Sequence, residues 1–346
     1  MHTKRPSLLA RLIYKAAQRG WTRLDQASLL RRLMILRDLF KFDLFSTLKQ
    51  YSPSPYKAIW SLLTGKNRYV FYDSSGRAQK ISISPPNLVA LLRLLKAGYT
   101  LVSADPAQNT IFMAIHSNLV LPLRASDSWD IATLNEILIE KDYGTSFPGY
   151  RILDIGAYNG DTPLFFAAYG AEKVIAAEPA PDNYALAQQN ISSSPYKERI
   201  ELLPVAIAAT DGEMAFHLDP GNPQSHALTL TGENTAYATY TEQVMVPVWS
   251  FARLVAYSGW DTIDLVKLDC EGAEFPILTE TPPDVLKKVK KWVIEYHADP
   301  QPLERCLQEL GYSVQRVKDF VLTGLIWAEK SVPSDQSSIP SLTAKD

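Results

Sequence analysis

Three short stretches of this chain gather residues able to do chemistry. The first is Asp154-Ile-Gly156-Ala157-Tyr158-Asn159-Gly160-Asp161-Thr162. Its glycines allow a tight turn and a close approach of backbone to a ligand. Glu178 stands 22 residues past Gly156. An acid at that spacing, closing the next strand, suits paired hydrogen bonds to ribose hydroxyls. The dinucleotide pattern of three glycines is absent. The second stretch is Asp264-Leu-Val-Lys267-Leu-Asp269-Cys270-Glu271-Gly272-Ala273-Glu274. It is an apolar run ending in carboxylates crowded around a glycine. Such acids repel one another unless a cation, a hydrogen bond or a proton separates them; a ligand's amine, Lys267 or a metal would serve. The third is Trp292-Val-Ile-Glu295-Tyr-His297. Residues two apart on a strand face the same way, so Glu295 and His297 are expected to point together, as a base and the acid that orients it.

The flanking patterns say what must hold these stretches in place. From Arg151 onward, apolar strands alternate with amphipathic helices. Strands are expected at Arg151–Ile155, Lys173–Glu178, Ile200–Ala208, Leu265–Asp269 and Trp292–Tyr296, with closing strands at Ser313–Val317 and Gly324–Glu329. Helices are expected at Pro163–Tyr169, Asp182–Ile191, Pro283–Lys290 and Gln301–Leu310. That alternation implies a mainly parallel, doubly wound sheet covered on both faces. The carboxyl ends of its strands form the crevice where such sheets bind ligands, and all three stretches fall there.

Upstream the character changes. Residues 1–55 read as a basic helical extension, with Leu29, Leu33, Leu36 and Phe40 at helical spacing; its helices stop around Tyr51-Ser-Pro-Ser-Pro55, because proline lacks a backbone donor and restricts its predecessor. Residues 56–125 form a small mixed region. Strands fit Arg68–Asp73, Thr110–Ile115 and Asn118–Leu123, and a helix fits Pro86–Lys96. Asp130–Lys141 reads as one helix leading into the main domain, which runs to residue 330. Residues 331–346 are a Ser/Pro-rich tail of disordered composition.

Bulk properties exclude several classes. With 346 residues, 46% hydrophobic and 21% charged, the chain is neither disordered nor collagen-like. No apolar run approaches the roughly 20 residues that cross a bilayer, and Arg11 interrupts Leu8-Leu9-Ala10 too early for a secretory signal. Two cysteines, Cys270 and Cys306, make no disulfide framework, which suits a reducing, cytoplasmic setting. No Cys/His spacing resembles a zinc site. The net charge of −2 hides an asymmetry: residues 1–50 hold eleven Lys and Arg against three Asp, a +8 segment on a body of −10. Such a leader suits packing on the body, attraction to an anionic membrane surface, or a protein partner.

Asp-Ile-Gly-Ala-x-x-Gly-Asp-Thr, then Glu-Pro, then Lys-Leu-Asp-x-Glu-Gly-Ala-Glu, then Glu-x-His together resemble the FkbM-type family of S-adenosylmethionine-dependent methyltransferases. The likeness covers about residues 126–330 and includes the lead-in at Asp130–Tyr143. It departs mildly at Tyr158 and Cys270. The resemblance implies a class I Rossmann-like fold, a seven-stranded sheet with its last strand antiparallel, and O-methylation of a sugar or polyketide-type hydroxyl. It also implies site roles. Gly156, Ala157 and Gly160, with Asn159 and Thr162, would frame the methionine part of the cofactor. Asp154 would orient that loop or meet the amine. Glu178 would hold the ribose, with Pro179 and Asn183 shaping that turn, and Ala206 and Ile207 would touch adenine. Asp269 would face the transfer site.

For catalysis, His297 oriented by Glu295 is the expected base, with Asp269 as its rival. A Mg²⁺ ion on Asp269, Glu295 and His297 is a variant that is not favoured, since Mg²⁺ usually takes only one or two protein carboxylates. Glu271, with Ser225 and His226 from the long connection after the third strand, is the candidate acceptor contact. Two other readings stand beside this one. A nucleic-acid methyltransferase could use the basic leader, and a non-catalytic scaffold could recruit a partner through it.

Overall fold

The structure is a computed structural model and describes residues 26–125, 129–218, 242–320 and 323–331. It begins with three helices, α1 (Gln26–Lys41), α2 (Leu44–Tyr51) and α3 (Pro55–Thr64). The break between α2 and α3 falls at the expected prolines. Pro55 occupies the first turn of α3, where its missing donor costs nothing, and Gly65 ends α3 in the left-handed conformation, φ 74°. A hairpin of β1 (Arg68–Tyr72) and β2 (Ala78–Ser82) follows, then α4 (Pro85–Lys96). Next comes an antiparallel sheet of β3 (Thr100–Asp105), β4 (Thr110–His116) and β5 (Leu119–Arg124), with β4 in the centre. The lead-in expected as one helix is two pieces: α5 (Asp130–Asn135) passes into a π-helical turn, Glu136–Glu140, closed by Lys141 at φ 61°.

The main sheet is built from β6 (Arg151–Ile155), α6 (Asp161–Ala168), β7 (Lys173–Ala177), α7 (Pro181–Ser192) and β8 (Ile200–Leu203). After an insertion come α8 (Phe251–Ser258), β12 (Leu265–Leu268), α9 (Glu274–Glu280), α10 (Pro283–Leu286), β13 (Lys291–Tyr296), α11 (Gln301–Glu309), β14 (Tyr312–Asp319) and β15 (Gly324–Lys330). The insertion itself supplies β9 (Ala206–Ala208), β10 (Gly212–Leu218) and β11 (Glu242–Ser250). Strand order in the main sheet is β14-β15-β13-β12-β6-β7-β8. Neighbours are parallel except β15, which runs antiparallel to both β13 and β14. This is the seven-stranded class I sheet with its last strand reversed, as the resemblance implied.

Alternate residues of the central strands enter two separate apolar layers. Ile152, Val174, Leu265 and Val293 face one; Leu153, Ile175, Val266 and Trp292 face the other. Burial on both faces is why these strands read as continuous apolar runs rather than alternating ones. The first layer is shared with the N-terminal region: Leu39, Leu48, Leu62, Phe71, Leu91, Met113 and Leu121 belong to the same cluster as Ile152 and Phe166. Residues 26–125 therefore share one core with the sheet.

The expected single strand Ile200–Ala208 is divided. Pro204 cannot donate to a ladder, and the chain leaves the main sheet there. Ala206 and Ile207 belong to β9, which pairs in parallel with β11 in a separate three-stranded sheet. β10 and β11 form an antiparallel hairpin stem from Gly212↔Val248 to Leu218↔Glu242.

Candidate active site

The strand order places the ends of β12, β6 and β7 side by side, so Asp269, Gly156 and Glu178 meet at one edge of the sheet. Lys267 on β12 lies opposite Asp154 on β6. Its buried ammonium donates to the Gly156 carbonyl at 2.6 Å and sits 3.4 Å from Asp154 Oδ1 and 3.5 Å from Asp269 Oδ2. Burial alone would pull the Lys267 pKa down, but Asp154 and Asp269 outweigh it and hold the ammonium charged. Thr162 donates its hydroxyl to Asp154 Oδ2 at 2.6 Å. Asp154 thus braces the loop from beneath.

Gly156 has φ 85°, and a Cβ there would fall inside the radius of the Asp269 carbonyl oxygen. Only glycine allows β6 to turn this close to the end of β12. Gly160, φ 85°, opens α6 as its cap residue.

Glu178 is buried. Its Oε2 accepts from the Tyr158 backbone N–H at 2.8 Å and its Oε1 from the Ala180 N–H at 2.9 Å. Burial pushes this carboxyl up to about 7 against those two hydrogen bonds. Asp161 is buried too, accepting from the Thr162 N–H at 2.7 Å through Oδ1. Its Oδ2 has no hydrogen-bond partner among the described residues. Burial, helped by Asp130, raises Asp161 to about 7.

These groups line one cleft of about 730 Å³, open solvent at its mouth included. Its walls carry Gly156, Thr162, Glu178, Pro179, Asn183, Ala206, Ile207, Asp269 and Glu271 from among the expected residues. Ala157, Asn159, Gly160 and Asp154 do not line it; they are buried framework. Asn159, for example, accepts at its carbonyl from the Asn190 amide at 2.8 Å and caps the Asp161 N–H through Oδ1 at 3.0 Å. Thr133, Val205 and Phe216 also line the cleft, and sequence reasoning missed them. They come from α5, from the residue after Pro204 and from β10. An apolar or hydroxyl wall carries no polar signature, so only the lead-in resemblance pointed toward Thr133.

Ser225 and His226 lie outside the described residues.

His297 is buried beside the carboxylate turn. Its Nδ1 lies 3.1 Å from Glu274 Oε1, and its Nε2 3.7 Å from Glu271 Oε2 and 4.0 Å from Asp269 Oδ1. The expected orienting partner was Glu295; the hydrogen-bonding partner is Glu274. Glu295 does stay close, with a donor atom within 4.8 Å of one on His297, but the start of α9 brings the Glu274 carboxylate to 3.1 Å from Nδ1. Glu274 is itself pinned by the N–H groups of Cys270 and Gly272, each at 2.8 Å. Burial pulls the His297 pKa down, yet Glu271 and Glu274 outweigh it and hold the imidazole well above its ordinary value. That setting favours the protonated imidazole. Desolvation and Asp269 push Glu295 the same way, well above the carboxylate range.

One donor atom each of Asp269, Glu295 and His297 lies within 4.8 Å of the others, and an anchored Nδ1 is the usual partner arrangement of a metal-bound histidine. The donor types fit a divalent ion. His297 faces Asp269, Glu271 and Glu274, and Lys267 also faces Asp269, so two side chains already share these acids.

Residues 154–314 match the family described as Methyltransferase FkbM domain. The match starts in β6, ends in β14 and spans all three strand ends that bound the cleft. Residues 154–314 are a methyltransferase FkbM domain. Thr133 and Tyr143, on the cleft wall, precede the matched part of this methyltransferase. No curated protein matches the chain. Among solved structures, a conserved hypothetical protein of Streptococcus pyogenes is 16% identical with a TM-score of 0.37, covering 57% of this chain and 95% of that one. Methyltransferase FkbM from Methylobacillus flagellatus KT is 13% identical with a TM-score of 0.36, covering 57% of this chain and 54% of that one. M. capricolum TrmK in complex with S-adenosyl-homocysteine is 13% identical with a TM-score of 0.35, covering 58% and 70%.

Proposed function

We propose that this methyltransferase uses S-adenosylmethionine to methylate a hydroxyl of a sugar or polyketide-type acceptor. The observation that carries the reading is the pairing of Glu178 and Asp269 on opposite sides of the Gly156 loop in one cleft. The cofactor, when bound, supplies a methyl group already activated on a sulfonium. The residues present fit it. Glu178 accepts from two backbone N–H groups and from the Asn183 side chain, and its remaining lone pairs suit ribose hydroxyls. Asp161 Oδ2, buried and without a partner among the described residues, suits the amine of the methionine part. Ala206, Ile207 and Phe216 offer an apolar wall for a base.

With the donor activated, alignment is the main requirement, and positioning can supply roughly 7–11 kcal/mol. Lys267 contributes by locking the Gly156 carbonyl between Asp154 and Asp269. A base adds about 10²–10⁴-fold. We assign proton acceptance to Asp269, which lines the cleft, rather than to the protonated His297, whose part is to hold Glu271 and Glu274 in place. The acceptor side presents two carboxylates on the cleft wall, Asp269 and Glu271. Carboxylates take hydrogen bonds from several hydroxyls at once and repel phosphates. That favours a polyhydroxyl acceptor over a nucleic acid.

Calorimetric titration of the protein with S-adenosylmethionine and S-adenosylhomocysteine, repeated on Glu178→Ala, tests the donor half. Micromolar binding weakened roughly tenfold, about 1.4 kcal/mol, is expected. No binding of either compound to the intact chain overturns the reading and returns the scaffold alternative.

A further inference from the structure

The outer face of the N-terminal helices carries large aromatic side chains in water. Phe40 is 58% exposed, Phe42 49%, Tyr56 71% and Trp60 65%. Phe40 and Tyr56 are joined through a third ring. Phe45 bridges Phe40 (ring centroids 5.3 Å) and Tyr56 (5.9 Å), and Trp60 stands one turn beyond Tyr56 on α3, on the same helix face. Exposed lysines are interleaved with the rings. The Lys41 ammonium lies 5.1 Å from the Phe42 ring centre, the Lys49 ammonium 4.8 Å from that of Phe45, and Lys57 adjoins Tyr56. Residues 26–66 hold seven Lys and Arg against two Asp. The opposite side of the same helices is firmly packed: Leu39, Leu44, Leu48 and Leu62 lie in the main core. Lys96 donates to the Phe42 carbonyl at 2.7 Å and Arg32 to the Leu62 carbonyl at 3.1 Å. The rings are therefore displayed by a fixed platform.

Aromatic rings at an interface with lysines beside them are the composition of an interfacial membrane contact. No helix among the described residues is long and apolar enough to cross a bilayer. The charge asymmetry sets the orientation: the basic leader is attracted to an anionic surface, while the acidic body is repelled from it. A nucleic acid would need a groove or sheet platform on which to stack its bases; here exposed rings stand on helices and the turn between them. We propose that α1–α3 form a docking surface for an anionic lipid bilayer, with Phe40, Phe42, Tyr56 and Trp60 at the headgroup boundary and Lys41, Lys49 and Lys57 against lipid phosphates. The proposal goes beyond the methyl-transfer reading and does not depend on it.

Co-sedimentation of the full chain with vesicles tests it. Binding to phosphatidylcholine vesicles containing phosphatidylglycerol, weakening as salt rises, is expected, with little binding to phosphatidylcholine alone. The charge-reversal variant Lys41→Glu/Lys49→Glu/Lys57→Glu should lose on the order of 100-fold in partitioning. The variant Phe40→Ser/Tyr56→Ser/Trp60→Ser should lose about tenfold or more. Thermal melting of each variant checks that it folds. If a triple variant fails to fold, the single exposed changes Lys49→Glu and Trp60→Ser, read in the same way, decide. Equal binding to both vesicle types, or to neither, overturns the proposal. So does retention on single-stranded RNA, or dimerisation through the aromatic patch, without vesicle binding.

Discussion

The Tyr158 hydroxyl donates to Asp130 Oδ1 at 2.8 Å, while the backbone N–H of the same tyrosine donates to Glu178. One residue, at φ 48°, thus ties the lead-in helix to the acid assigned to ribose. Arg124, at the end of β5, completes the link by pairing with Asp130 and donating to the Tyr158 hydroxyl at 2.6 Å. The N-terminal region therefore helps set the shape of the cofactor loop. Tyr158→Phe should keep the ring and lose the hydrogen bonds. A stability loss of about 1 kcal/mol by urea denaturation and a several-fold weaker binding of S-adenosylhomocysteine are expected. Unchanged affinity in a folded variant would show that the link is structural only.

The two raised carboxyls predict a pH dependence. Glu178 and Asp161 stand at about 7 in the folded protein, above the roughly 4 of unfolded chains. The folded form then binds more protons than the unfolded one between those values, and stability falls as pH rises through that window. Ligand hydroxyls and an amine favour the ionised acids, so affinity for S-adenosylhomocysteine should rise as pH increases through about 7. Glu178→Gln should flatten both curves, as read by thermal melts and calorimetry.

Asp269 and His297 separate by variant. Asp269→Asn should lower turnover by about 10²–10⁴-fold. His297→Gln removes the cation facing Glu271 and Glu274, and its main cost should be stability, about 3 kcal/mol or more. If His297→Gln folds normally and loses turnover as severely as Asp269→Asn, proton acceptance belongs to His297.

Gly156→Ala introduces both a Cβ against the Asp269 carbonyl and a strained φ. Separation of the β6 and β12 ends should cost several kcal/mol, on the order of 3, with loss of cofactor binding. Gly76→Ala is the control: its φ is similarly left-handed at 78°, but no atom lies within 4 Å of the added methyl. Its cost should be limited to backbone strain, about 1 kcal/mol, with cofactor binding retained.

Exhaustive chelation should leave turnover intact, because His297 and Lys267 already share these acids. Activity lost on chelation and restored by one divalent ion would instead assign that ion to Asp269, Glu295 and His297.

Much of the site was legible because its signals are local. Gly156, Glu178 and Asp269 announce themselves by type and spacing, and a parallel sheet brings all its strand ends to one edge. Ala206 and Ile207, expected as adenine contacts at the end of the third strand, line the cleft from a strand that belongs to another sheet; the proline that diverts it is a one-residue signal that periodicity over the whole run conceals. The sequence by itself determined the alternation of strands and helices, the turn glycines and the acids that follow them. Tertiary structure alone decided who faces whom. Glu274 reaches His297 from 23 residues away and Asp130 reaches Tyr158 from 28, and both contacts are set by the packing of elements rather than by spacing along the chain. The upward pKa shifts of Glu178, Asp161 and His297 arise there too, since desolvation and neighbouring charge exist only once the chain has packed.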